Sequence, residues 1–119
     1  MTATRPNRTE TEALLTFLQE KVNSFVKWDL VRFFHDNPHA AETCANIAQA
    51  ICRDEIAVSH ELDALVADGV LERKTSSRAR VYKLTSDPNT TRMIDSFVQA
   101  CDDRDFRMAA IQTVIAGLS

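Results

Sequence analysis

Glycine is nearly absent from this chain, cysteine occurs in an odd number, and no apolar run is long. Only Gly69 and Gly117 occur in 119 residues, so a glycine-rich phosphate loop is excluded. Three cysteines, Cys44, Cys52 and Cys101, fall in none of the paired metal-ligand spacings and argue against a disulfide framework. No apolar stretch approaches the roughly 18 residues of a spanning helix, and Met1 to Arg8 lack the apolar core of a signal peptide. A cytoplasmic location away from membranes is therefore expected. Positive charge is not in excess either. The net charge of −3 argues against indiscriminate coating of nucleic acid, and leaves room for cations gathered in one place. The sharpest absence is local: from Asp54 to Asp68 there is no Lys or Arg, but there are five acids, Asp54, Glu55, Glu61, Asp63 and Asp68.

What is present is enough for one domain with its own core. Apolar residues make up 45% and charged residues 26%, the balance of a soluble globular protein. Residues 1–8 carry Arg5, Pro6 and Arg8 with almost nothing apolar, and read as a mobile arm. From Glu10 onward Leu14, Leu15, Phe17, Leu18 and Val22 recur at helical spacing. Phe25, Val26, Trp28, Leu30, Val31, Phe33 and Phe34 form a second segment, apolar on most sides, which predicts a central core helix ended by Pro38.

Thr43 and Asp54 each carry a side-chain oxygen that can cap a helix, the first holding Cys44, Ile47, Ala48 and Ile51, the second Val58, Leu62 and Leu65. Gly69 suits the left-handed conformation that closes a helix. Val70 and Leu71 then begin a strand, Thr75, Ser76 and Ser77 form a turn, and Val81, Tyr82 and Leu84 resume an extended pattern, so a hairpin is predicted. Asp87 followed by Pro88 opens a long C-terminal helix. Ile94, Cys101, Met108 and Ile115 repeat along it every seven residues, with Phe97, Ile111 and Leu118 as the partner series, interrupted by Arg104.

Two short helices, a tight turn, a third helix and a charged hairpin make a helix-turn-helix followed by a wing. On Ala45, Ile47, Ala48 and Ile51, then Val58-Ser59, Leu62, Leu65, Gly69-Val70-Leu71 and the run Arg73 to Lys83, the chain resembles the winged-helix regulators of bacteria and archaea, in the broad MarR and ArsR groupings. The resemblance implies a mainly α fold with a small β-hairpin: residues 9–86 as a winged helix-turn-helix domain with an N-terminal helix, and 87–119 as a C-terminal helix serving dimerisation. It also implies that the third helix, about residues 54–68, enters the major groove of double-stranded DNA while the wing, 72–83, lies on the phosphate backbone.

With Val58, Leu62 and Leu65 buried, steps of about 100° point Ile56, Ala57, His60, Asp63 and Ala64 outward, with Ser59 and Glu61 at the flanks. His60 is the candidate base reader, Ile56 or Ala57 can contact a thymine methyl, and Ser59 can donate to a base or phosphate. Arg73, Lys74, Arg78, Arg80 and Lys83 are the candidate phosphate contacts. Four such contacts give a salt slope of roughly −3.6, and about twice that in a symmetric dimer. The dimer contact is assigned to Ile94, Phe97, Cys101, Met108, Ile111 and Ile115; docking of the same stripe on Leu14 and Leu18 of its own chain is the competing arrangement.

Two other classes of function find little support. His35, His39 and His60 with the three cysteines supply no paired metal-ligand spacing, so neither metal nor cofactor is expected. Asp102, Asp103 and Asp105 read as a solvated helix face, and no nucleophile, base and orienting partner can be assembled, so enzymatic activity is not expected. The acidic third helix does suit an alternative: a winged-helix module without DNA binding that meets a protein partner through Ile56, Ala57, Ala64 and Ala67.

Overall fold

The computed structural model describes residues 6–118, which are mainly helical with one small antiparallel sheet. Helix α1 (Arg8–Lys21) begins where the Asn7 side chain accepts the Glu10 amide, so the helix enters the span expected to be an arm. Met1 to Arg5 of that arm lie outside the described residues. Helix α2 (Phe25–Asp36) starts at Ser24, which accepts the Lys27 amide, and buries Leu30, Val31 and Phe34 as its apolar run predicts. Its Lys27 is buried too.

A short strand β1 (Ala41–Thr43) follows that periodicity did not signal; three residues are too few to show alternation. Thr43 then caps α3 (Cys44–Ile51), and Asp54 caps α4 (Glu55–Ala67), both as read from sequence. Between these helices Cys52 takes a left-handed conformation, φ 58°, and ends α3. Gly69, φ 78°, does the same after α4, where a Cβ would be strained. Strands β2 (Leu71–Thr75) and β3 (Arg80–Leu84) form the expected hairpin, and β1 adds to the far edge of β3, giving the order β1-β3-β2.

The C-terminal span is not one helix. Asp87 and Pro88 open α5 (Pro88–Ala100), but a second helix, α6 (Arg104–Gly117), starts anew with Asp103 accepting the Phe106 amide at 2.9 Å. The break has a local cause. Two consecutive aspartates, Asp102 and Asp103, favour caps over helix interiors, and Arg107 Nη1 satisfies the Cys101 carbonyl left open there at 2.6 Å. The seven-residue series therefore crosses a corner instead of running along one rod.

The core lies where α1, α2, α4, α5 and α6 converge. Phe97 is 1% exposed and sits edge-on to Trp28, centroids 5.0 Å apart, and to Phe106 at 6.4 Å. That one side chain joins α2, α5 and α6, and burial of this kind stabilises by about 3 kcal/mol. Tyr82 carries β3 into the same core, with Val70 and Leu71 beside it in the buried cluster.

Candidate nucleic-acid interface

Helix α4 is held from below by apolar contacts and from the side by charge. Val58, Leu62 and Leu65 are fully buried. Lys27 Nζ, in α2, donates to Asn23 Oδ1 at 2.8 Å and pairs with Glu61 Oε2 at 3.5 Å. Lys27 lies on the same helix as Asp29, Arg32, His35 and Asp36, so no local signal in the sequence singles it out as the buried charge, and its need for an acceptor is met only across elements. At the turn before α4, Arg53 Nε reaches Asp29 Oδ2 at 2.7 Å and ties the turn to α2.

The first turns of α4 agree with the helical-wheel reading, whereas Ala64, expected outward, is half-buried. Ile56 is 81% exposed, Ala57 and His60 are exposed, and Ser59 is half-buried at the flank. Asp63, expected to point to solvent, instead turns toward the hairpin. Tyr82 donates its hydroxyl to Asp63 Oδ1 at 2.7 Å, and Arg73 Nη1 donates to the same oxygen at 2.9 Å. The Tyr82 hydrogen bond, with Arg73 behind it, holds the Asp63 carboxyl below its ordinary value. Burial, then the Asp63 carboxylate, pushes the Tyr82 phenol up.

The hairpin does not offer its five cations as one patch. The register pairs Arg73 with Tyr82, Thr75 with Arg80 and Lys74 with Val81, and side chains alternate between faces. Arg73 and Arg80 therefore share the face carrying Tyr82, while Lys74 and Lys83 stand on the other. Arg73 is already paired with Asp63, which removes it as a simple phosphate contact. Among the described residues no salt bridge involves Lys74, Arg78, Arg80 or Lys83. Arg78 sits at the tip, where Ser76 Oγ accepts the Arg78 and Ala79 amides and so sets the turn. Glu72 accepts both the amide and the hydroxyl of Ser86, at 2.8 and 2.9 Å, which lowers its carboxyl and fixes the exit of β3.

The residues assigned to dimerisation separate into two groups. Ile94, Phe97 and Cys101 are buried in the chain's own core, because α5 packs on α2 through Phe97 and Trp28 while the break at Asp103 turns α6 onto α1. Met108, 47% exposed, and Ile115, 54% exposed, remain outward on α6 with Ile111 half-buried between them. Burial lifts the Cys101 thiol to about 11 and raises that of Cys44, whereas Cys52 is exposed. Among the described residues no group of three or more His, Cys, Asp or Glu is placed to hold a metal ion. No helix among them is long and apolar enough to cross a membrane.

Compared with protein-family models and with curated proteins, the chain matches none.

Proposed function

We propose that this protein is a winged-helix transcriptional regulator that binds double-stranded DNA as a homodimer. In this reading α3, the turn at Cys52 to Asp54, and α4 form the helix-turn-helix, and the β2–β3 hairpin is the wing. Helix α4 enters the major groove with Ile56, Ala57, Ser59 and His60 toward the bases, and the wing meets phosphates. Met108, Ile111 and Ile115 of α6 are the contact between protomers.

The observation that carries the proposal is where the acids of α4 go. Asp54 accepts the Ala57 amide, Glu61 turns to Lys27, and Asp63 is held by Tyr82 and Arg73. Beyond Asp54 and Glu55, which stay exposed in the first turn, the charges of Glu61 and Asp63 on α4 are thereby answered by cations rather than turned toward a phosphate backbone. Beside it stand Lys74, Arg78, Arg80 and Lys83 without opposing salt bridges among the described residues. One feature favours a second reading: an isoleucine 81% exposed on α4 equally suits a protein partner.

Fluorescence anisotropy with a random-sequence duplex at low and moderate salt separates the two. DNA binding predicts a steep fall with salt, up to a slope of roughly −3.6 per chain. Replacing Arg78 and Arg80 by Ala should reduce that slope by about 1.8 and weaken every sequence alike, while His60→Ala should change preference among sequences. Absence of salt-sensitive binding would overturn the proposal in favour of the protein-interaction module.

A further inference from the structure

Resting on the DNA-binding reading, we infer that α4 reads the C5-methyl group of a pyrimidine in the major groove, with Ile56 as the residue that contacts it. The side chains available to read a base are unusually few. Two-pronged recognition of guanine uses Arg or Lys, and that of adenine uses Asn or Gln. Helix α4, Glu55 to Ala67, contains none of these four residue types.

The polar groups that remain are mostly engaged or limited. Glu61 is paired with Lys27 and Asp63 with Tyr82 and Arg73, so neither carboxylate is directed at a base. Ser59 is half-buried. What projects furthest is apolar: Ile56, 81% exposed, in the first turn of α4, with exposed Ala57 beside it and His60 one turn on. The first turn of a recognition helix is the part that reaches base edges. The basic hairpin, tied to α4 through Asp63, supplies the charge complementarity that seats this face against a polyanion rather than an apolar protein groove. In the major groove the apolar feature on a base edge is the C5-methyl, which thymine carries. A 5-methylcytosine carries the same methyl beside an amino donor, which the exposed Glu55 in the same turn is of a kind to accept.

The test needs no known operator. The full chain is titrated at low salt against alternating dA-dT and dA-dU duplexes, which differ only in the methyl, and against dG-dC duplexes with and without 5-methylation of cytosine. The expected result is binding about fourfold weaker to dA-dU than to dA-dT, the equivalent of one buried methylene. Ile56→Ser, a change at an exposed position that leaves the core intact, should bind the two equally with the salt slope unchanged. A matching preference for methylated dG-dC assigns either pyrimidine methyl as the ligand; its absence assigns thymine. Salt-sensitive binding with no discrimination in either pair overturns the inference and leaves DNA binding standing. Discrimination that persists in Ile56→Ser also overturns it, since groove shape would then be the cause. No binding to any duplex removes the DNA reading itself.

Discussion

Helix α4 and the β2–β3 hairpin are consecutive in the chain and opposite in charge, and they treat their charges in opposite ways. Three of the five acids between Asp54 and Asp68 are structural. Asp54 caps the helix, Glu61 answers the buried Lys27, and Asp63 receives Tyr82 and Arg73 from the hairpin. The hairpin's cations, Arg73 apart, enter no salt bridge among the described residues. Charge density counted along a segment therefore misstates the surface it makes, because pairing happens between elements. The segment from Asp54 to Asp68, with five acids, keeps Asp54, Glu55 and Asp68 exposed at its ends and an apolar patch at Ile56 and Ala57, and a hairpin with five cations presents four of them on two sides.

The largest way to break this contrast is at Glu61. Glu61→Ala leaves Lys27, 8% exposed, with Asn23 as its remaining acceptor, so an ammonium is buried without a counter-charge. A loss of about 2 kcal/mol in urea unfolding is expected, below the 3–5 kcal/mol of a fully buried pair because Glu61 is partly solvated. Adding Lys27→Met to that variant should recover most of the loss, since a well-packed apolar side chain replaces the stranded charge. A Glu61→Ala protein as stable as wild type would show the pair to be idle.

Asp63 comes next. Asp63→Asn keeps an acceptor for Tyr82 but loses the charge that holds Arg73, and both ion-pair partners are more than a third exposed, so screening limits the cost to about 1 kcal/mol. The pH dependence fixes the cause. The folded carboxyl lies below its ordinary value of about 3.9, so the stabilisation is complete above that value and is lost as pH falls through the depressed one. The stability gap between wild type and Asp63→Asn should be constant from about pH 5 to 8 and close below about pH 4. Tyr82→Phe, which removes the largest cause, should move the Asp63 titration upward in a carboxyl NMR experiment; an unmoved titration would assign the depression to Arg73 alone.

Much of this arrangement is legible in sequence, and the illegible parts share a cause. Thr43, Asp54 and Asp87 as caps, Gly69 as a left-handed terminator, and the stripe of Val58, Leu62 and Leu65 are local signals, fixed by residues a few positions apart. The outward positions of Ile56, Ala57 and His60 follow from that stripe by helical geometry. Strand β1 was missed because it exists only through pairing with β3, some forty residues later. The Asp63 to Tyr82 contact was missed for the same reason: it spans two elements, and helical steps alone sent Asp63 to solvent. The C-terminal span looks like a single helix in sequence because a seven-residue period survives across Asp102 and Asp103, residues better suited to a cap than to a helix interior.

A smaller effect concerns the turn that sets the angle of α4. Cys52 is exposed and left-handed, a conformation that costs a side chain about 1 kcal/mol and costs glycine nothing in the folded state. Among the described residues its thiol makes a single long contact, 3.8 Å, to the Gln49 carbonyl. Cys52→Gly should therefore stabilise by about 0.5 kcal/mol once the greater freedom of unfolded glycine is deducted, read as a raised urea midpoint at constant slope. A lowered midpoint would mean that the Cys52 side chain supports the turn.

The smallest expected effect is the most informative about the contrast. Arg78, at the tip of the hairpin, has its backbone amide held by Ser76 while its guanidinium enters no salt bridge among the described residues. Arg78→Ala should leave stability within about 0.5 kcal/mol of wild type. In the same preparation, duplex binding should weaken and its salt slope fall by about 0.9. The acids of α4 would then cost stability when removed, and the cation of the hairpin would cost only binding. If Arg78→Ala instead destabilised the fold without touching the salt slope, the hairpin's charge would be structural like that of α4, and the division of labour between the two elements would fail.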